Sequence, residues 1–283
     1  MNKLPLTKRL QILSMLVEGS STRSISRVVD VSINTVTKLL DDAGIACHAY
    51  HDDHVRGVRS ARIQCDEIWS FCYPKTKNVP GAVAAPEGAG DAWTWTALDA
   101  DSKLIVSYMV GRRDVEYALA FMDDVRSRLA NRVQLTTDGH KAYLCAVEEA
   151  FGADIDYAML VKLYGAPAGP DNERRYSPAE CIGSRMDVIE INPEAKHVST
   201  SYVERANLSK RMGMRPFTRL TDDISKKLEN HGHMLALYFL HYNFCRIHKT
   251  LRVTPAQEAG ITDTAHDAKW IVDLIEKYQA AAN

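Results

Sequence analysis

The hydrophobic pattern changes from a helical period to alternation near residue 62, and this change constrains the fold more than any other feature of the chain. Before it, apolar residues recur every three or four positions, which is typical of helices. After it, Arg62 to Phe71 alternates apolar and polar residues as a strand does. The later segments follow the order strand, strand, helix, strand, helix, strand and helix. This order predicts an α/β fold, with a mixed five-stranded sheet and flanking helices behind an all-α domain.

The all-α domain is predicted to cover residues 1–46 and to contain three helices. Ser21 or Thr22 can cap the second helix and Ser32 the third, and the segment 41–44 is expected to end the third helix. Two helices joined by a short turn predict a helix-turn-helix, with the last helix in the major groove of DNA. A small helical dimerisation or capping module would give the same pattern. The residues predicted to contact DNA are Ser32, Asn34, Thr35, Thr37 and Lys38.

The remaining domain boundaries follow from where the periodicity stops. Residues 47–61 hold three histidines and several charges without periodicity, and we predict a linker there. The sheet and its helices are predicted in 62–252, and a helical tail in 253–283. An irregular insertion is predicted at about 165–200, with a possible strand at 186–191. The order of the strands and helices is that of an RNase H-like sheet.

Three acidic residues stand out by position among the 36 in the chain. Asp66 lies midway along the first strand, Asp138 follows the fourth strand, and Glu204 lies in the first turn of a helix. Gly139 is expected to let the backbone turn sharply after Asp138. Because the first and fourth strands are neighbours in an RNase H-like sheet, we predict that the three carboxylates converge. Taken singly, they would be a paired core acid, a turn former and a helix N-terminal charge.

A converging set of carboxylates predicts a divalent metal site. Mg²⁺ takes oxygen ligands and retains several waters, so a few acids are enough to bind it. Two ions about 3.5–4 Å apart can serve the attacking and the leaving oxygen at phosphorus. We therefore predict two Mg²⁺ or Mn²⁺ ions, bound by Asp66, Asp138 and Glu204. Asp66 is preferred over Glu67, which alternates in register with Cys65 and Trp69, but the pattern leaves open whether Glu67 assists.

The distribution of charge favours a nucleic-acid partner although the net charge is only -1. The segment 196–252 holds eleven Lys or Arg residues against four acidic ones, which suits a surface that faces phosphates. A solvated helical face would have the same composition. Further DNA contacts are predicted on the helix of Glu204, at Arg205, Asn207, Lys210 and Arg211.

Three segments resemble the acidic motifs of insertion-sequence-one family transposases, which belong with DDE-type transposases and retroviral-type integrases. They are residues 65–70 (CDEIWS), 137–139 (TDG) and 202–208 (YVERANL), and Arg211 matches the basic residue seven positions after the third acid. Residues 241–251 and 254–256 resemble a signature that follows the catalytic core. One departure is that shorter members carry an N-terminal cysteine zinc finger, which this chain lacks, so recognition of the DNA end should differ.

The resemblance implies an RNase H-like fold, metal-dependent cleavage of double-stranded transposon ends, and their transfer into target DNA. It also implies a homodimer or a larger assembly on DNA. The chain has no long apolar run or signal core, and we expect a cytoplasmic, nucleoid-associated protein without a membrane partner. Two alternatives are a catalytically silent, domesticated DNA-binding protein and a structure-selective nuclease.

Overall fold

The computed structural model describes residues 4–165, 181–214, 217 and 227–281. The helices are α1 (Leu6–Val17), α2 (Thr22–Val29), α3 (Ile33–His54), α4 (Val115–Arg128), α5 (Ala142–Phe151), α6 (Ser201–Gly213), α7 (Leu228–Phe244), α8 (Pro255–Glu258) and α9 (Ala268–Ala281). The strands are β1 (Arg62–Cys72), β2 (Gly90–Asp99), β3 (Ile105–Gly111), β4 (Gln134–Asp138), β5 (Asp156–Tyr164) and β6 (Cys181–Glu190).

The strands form one mixed sheet in the order β3-β2-β1-β4-β5-β6. β1 pairs with β2 antiparallel and with β4 parallel, and β4 pairs with β5 parallel. The prediction of α/β architecture with neighbouring first and fourth strands is confirmed, but the prediction of five strands is wrong. The sixth strand, β6, lies at the edge beside β5, inside the predicted insertion. Most of its residues are exposed, so no core-directed alternation marks its full length, and the sequence predicted only a possible strand over residues 186–191. Residues 166–180 of that insertion lie outside the described residues.

The caps predicted at Ser21 and Ser32 are confirmed, because each side chain accepts a backbone N–H three residues later. The predicted end of the third helix at Gly44 is wrong, since α3 runs on to His54 through most of the predicted linker 47–61. A Cβ on Gly44 would lie 2.3 Å from the Cβ of His233 in α7. The glycine therefore serves a close helix crossing instead of a helix end.

α7 is the most deeply buried helix of the core, and it connects the N-terminal helices to the sheet. Its Asn243 side chain accepts the backbone N–H of Ile105 in β3 and donates to the carbonyl of the same residue, both at 2.9 Å. His51 of α3 lies against that same carbonyl, with Nε2 at 3.1 Å. The sequence predicts this helix over about residues 222–243, and the predicted start lies outside the described residues. None of the described helices is both long and apolar enough to span a bilayer.

Candidate metal centre

The pairing of β1 with β4 brings two of the predicted acids together. In the parallel register Cys65 is the partner of Thr137, so Asp66 and Asp138 follow at equivalent positions on neighbouring strands. Asp138 is the last residue of β4, and its Oδ1 accepts the backbone N–H of His140 at 3.0 Å. The expectation that the first and fourth strands carry adjacent acids is therefore confirmed.

Glu67 joins these two acids. One carboxylate oxygen from each of Asp66, Glu67 and Asp138 lies within 4.8 Å of the others, and among the described residues this is the group of acids that could hold a metal ion. Neighbouring residues of a strand point to opposite faces, but Asp138 at its strand end can approach both. The site thus contains an acid that the hydrophobic alternation alone left undecided.

The acids affect one another electrostatically. Burial and the neighbouring Asp138 raise the pKa of Asp66 to about 6. The same two causes raise the pKa of Glu67 to about 7, against the opposing effect of Arg113. Packing carboxylates together in partial burial disfavours their charged forms, and a bound divalent cation would reverse this. The cluster therefore has the electrostatic character of a cation site.

The residues of α6 that face the sheet hold Asp66 in place. Asn207 is 5% exposed and donates a hydrogen bond of 2.7 Å to Oδ2 of Asp66. Lys210, one turn later, is 0% exposed and donates to the hydroxyl of Thr96 at 2.8 Å. The prediction that Lys210 contacts DNA is therefore wrong, because its ammonium is enclosed between α6 and β2. Asn207 is directed mainly at Asp66, a role that the sequence did not suggest.

Glu67 has both carboxylate oxygens engaged by protein groups. Oε1 accepts from Nε of Arg113 at 2.5 Å, and Oε2 accepts from the hydroxyl of Tyr143 at 3.0 Å. Nη2 of Arg113 lies 3.4 Å from Oδ2 of Asp138, and its guanidinium is 4.9 Å from the centre of the Trp93 ring. Arg113 thus bridges two acids of the cluster.

Glu204 lies in the first turn of α6, as predicted, but its carboxylate is not part of the three-acid group. Its Oε2 accepts from Nζ of Lys162 in β5 at 2.5 Å, and Oε1 accepts from the Thr200 hydroxyl. It nevertheless lines the same cavity as Asp66, Glu67 and Asp138. The structure thus places the third predicted acid at the wall of the site, paired to a lysine.

The acids open into a cavity of about 710 Å³ with basic residues around its wall. Lys141 and Arg211 line it together with Arg113 and Lys162, whereas Arg205 is exposed outside the lining. Gly139 also lines the cavity, and a Cβ there would lie 3.1 Å from Val161 of β5. The backbone bends at Gly139, as predicted, but its φ is not positive, so the bend does not by itself require glycine and close packing against β5 does.

The residues predicted to contact DNA from the third helix lie at the start of α3. Ser32, Asn34 and Lys38 are exposed, and Thr35 and Thr37 are half-buried. Ser32 is occupied as the N-cap, and Lys38 forms an ion pair with Asp42 at 3.2 Å. These positions leave the helix-turn-helix assignment as a prediction.

Sequence reasoning missed Arg113 and Lys162 as members of the site. Arg113 stands between β3 and α4, where no periodicity applies, and it reaches the acids only through the fold. Lys162 lies near the end of β5, where the burial of the strand gives way to exposure. A charged residue at such a strand end is the one signal that could have indicated it.

Comparisons with known proteins give likenesses in structure alone. Neither a family model nor a curated protein matches the sequence. The Mos1 strand transfer complex has 11% identity and a TM-score of 0.25, covering 86% of this chain and 78% of that one. The synaptic complex of piggyBac transposase with hairpin DNA has 10% identity and a TM-score of 0.37, covering 95% and 69%. A pre-cleavage Mos1 transpososome gives 10% identity, a TM-score of 0.24, and coverage of 85% and 79%. Scores this low do not establish a shared function.

Proposed function

We propose that the chain is a DDE-type DNA transposase that cleaves element ends and joins them to target DNA with the help of divalent metal ions. The observation that carries the proposal is the meeting of Asp66 and Asp138 at adjacent positions of the parallel pair β1 and β4, in a cavity that Glu204 also lines. Membership of the insertion-sequence-one family rests on the three sequence motifs and is part of the proposal.

The donor atoms suit Mg²⁺ or Mn²⁺. The cluster offers carboxylate oxygens from Asp66 and Asp138, with no sulfur or imidazole in the three-acid group, and hard cations prefer such ligands. Asp66 and Asp138 would hold the metal, and Glu204 would complete the set after release from Lys162. A bound pair of ions supplies Lewis acidity at the phosphorus and at the attacking and leaving oxygens.

The remaining residues of the cavity would bind and position the DNA. Asn207 keeps one oxygen of Asp66 fixed through its hydrogen bond, which leaves the other oxygen for the cation. Lys141 and Arg211 offer positive charge at the wall, where a phosphodiester would approach. The exposed first turn of α3 would read the end sequence, and Arg205 would contact the backbone of the duplex.

The test is a strand-transfer assay on labelled duplex DNA that carries the ends flanking the gene, with Mg²⁺ present or chelated. We expect nicked and joined products with Mg²⁺, and neither product from an Asp138→Asn variant. Asp187→Asn is the matched control, because Asp187 is a half-buried acid of β6 that pairs with Arg185 and does not line the cavity. It should retain wild-type activity.

The products distinguish this proposal from its alternatives. Nicking without joining would indicate a structure-selective nuclease. Specific binding without any metal-dependent nicking would indicate a silent DNA-binding protein. Joining by the Asp138→Asn variant would remove the proposed chemistry altogether.

A further inference from the structure

We propose that Glu67 is a positioning residue that anchors Arg113 and not a metal ligand, and that Arg113 binds a DNA phosphate beside the metal site. This inference rests on the proposed function for its ligand. Of the three clustered acids, Asp66 and Asp138 would then face the metal ion, whereas Glu67 would hold the guanidinium of Arg113.

The first argument is the saturation of Glu67. Its side chain is 1% exposed, and its two oxygens accept from Arg113 and from the buried Tyr143 hydroxyl. To bind a metal, it would have to give up one of these charge-assisted or buried hydrogen bonds, which are costly to leave unmade. Asp66, in contrast, accepts a side-chain hydrogen bond from Asn207 alone among the described residues.

The second argument is the way in which Arg113 is held. Its Nε donates a hydrogen bond to Glu67, and its guanidinium carbon lies 4.9 Å from the centre of the Trp93 ring. Its Nη2 is 3.4 Å from Oδ2 of Asp138. A planar guanidinium fixed on one edge and one face keeps its outer edge for a second anion, and phosphate suits that fork. The side chain is 34% exposed, so this edge is reachable.

The third argument is the position of Arg113 between two cavities. It lines the acid cavity of about 710 Å³ and also a neighbouring cleft of about 960 Å³ that contains Trp93, Tyr117 and Lys227. A DNA strand that passes from the metal site into this cleft would cross the guanidinium of Arg113. The ion pair with Asp138 at 3.4 Å is longer than the one with Glu67. We therefore expect Arg113 to exchange Asp138 for a phosphate while it remains on Glu67.

The experiment is a double-mutant cycle of Glu67→Gln, Arg113→Gln and the double variant, with two readouts that need no turnover. The first is Mn²⁺ affinity by calorimetry. Removing both partners cancels their charges, so the double variant should bind Mn²⁺ within about threefold of wild type. A loss of about tenfold or more in the double variant would make Glu67 a metal ligand and overturn the inference. Asp138→Asn should lose Mn²⁺ affinity in either case.

The second readout is the affinity for a labelled, blunt-ended DNA duplex of random sequence, measured in EDTA at several salt concentrations. Arg113→Gln should lower the salt slope by about 0.9, the value for one lost phosphate contact. Glu67→Gln should weaken binding too, and the double variant should bind no more weakly than Arg113→Gln alone. If the losses of DNA affinity in the two single variants added up in the double variant, or if Arg113→Gln left the salt slope unchanged, the anchor role of Glu67 would be contradicted.

Two controls separate charge from folding. Arg113→Lys keeps the charge and should retain most of the salt slope, whereas a purely structural role would not be rescued. Arg112→Gln removes a neighbouring, 67% exposed arginine that pairs with Asp114 and Glu116 and does not line the acid cavity. It should leave Mn²⁺ affinity unchanged. If wild type binds no Mn²⁺, the proposed function fails, while the DNA cycle in EDTA still decides the role of Arg113.

Discussion

Asn207 donates a hydrogen bond of 2.7 Å to Oδ2 of Asp66, across the interface between α6 and β1. This bond lowers the pKa of Asp66 and so opposes burial and Asp138, which still raise it to about 6. We expect Asn207→Ala to raise that pKa further, so that Mn²⁺ binding requires a higher pH. Calorimetric titrations across the pH range measure this shift. Ser209→Ala, whose hydroxyl donates to the Arg205 carbonyl, is the control on the same helix. Identical pH profiles for all three proteins would contradict the assigned role.

The two raised pKa values predict how stability depends on pH without metal. Because Asp66 and Glu67 bind protons more readily in the folded chain, the free energy of unfolding should fall as pH rises from their ordinary values of 3.8 and 4.5 to about 6 and about 7. Urea midpoints measured between these limits test the sign. Asp138→Asn should flatten the dependence, since the Asp138 charge contributes to both shifts. Added Mg²⁺ should stabilise the protein more at the upper limit. A midpoint that rises with pH in wild type and variant alike would contradict this assignment.

The crossing of α3 and α7 predicts opposite effects at two glycines. Gly44→Ala should lower the free energy of unfolding by about 1–3 kcal/mol, because the added Cβ overlaps His233. Gly232→Ala should raise it by about 0.5–1 kcal/mol, since a Cβ there meets nothing within 4 Å and Gly232 lies within a helix. Chemical denaturation of both variants measures the difference. Equal effects of the two substitutions would show that the helices are farther apart.

The burial of Lys210 predicts how two basic residues of α6 should differ. Lys210→Met should leave the salt dependence of DNA binding unchanged, because its ammonium has no access to the surface. Arg205→Gln should decrease the slope by about one if this exposed side chain meets a phosphate. Binding isotherms at several salt concentrations provide the measurement. A reduced slope for the Lys210 variant would mean that α6 moves away from the sheet on DNA.

Two substitutions at the start of α3 should affect different properties, one the stability of the protein and the other its recognition of DNA. Ser32→Ala should cost about 1 kcal/mol of stability, because it removes the N-cap bond to Thr35. Asn34→Ala should leave stability nearly unchanged, since the side chain is exposed, but it should weaken specific binding of the element end. Melting curves and binding competition distinguish the two effects. Specific binding that survives Asn34→Ala unaltered would argue against the proposed recognition turn.

The sequence allowed the parts of the site governed by local pattern to be predicted. The alternation along β1 placed Asp66 in mid-strand, and the helical pattern after the insertion placed Glu204 in a first helical turn, both as observed. The order of strands then put Asp66 beside Asp138. Each of these inferences depends on a short-range period or on a topology shared by many sheets.

The rest depends on contacts between distant residues. Gly44 looked like a helix end because only the fold reveals His233 against it. Lys210 looked like a surface cation because polar and apolar residues are not cleanly separated around α6. Its burial against Thr96 depends on the rotation of the helix about its axis relative to the sheet. Arg113 reaches Glu67 over 46 positions of chain, a pairing that no local period encodes.

The continuity of α3 has a geometric consequence for the proposed transposase. Its 22 residues form one rod of about 33 Å, with the exposed Asn34 in its first turn and His51, which contacts β3 of the sheet, in its last turn. About ten base pairs of duplex span a similar length. If the proposed function holds, this rigid helix would fix the number of base pairs between the sequence that α3 contacts and the bond that is cut. Inserting one residue in its middle would rotate the reading face by about 100°, and so put it out of phase with the groove.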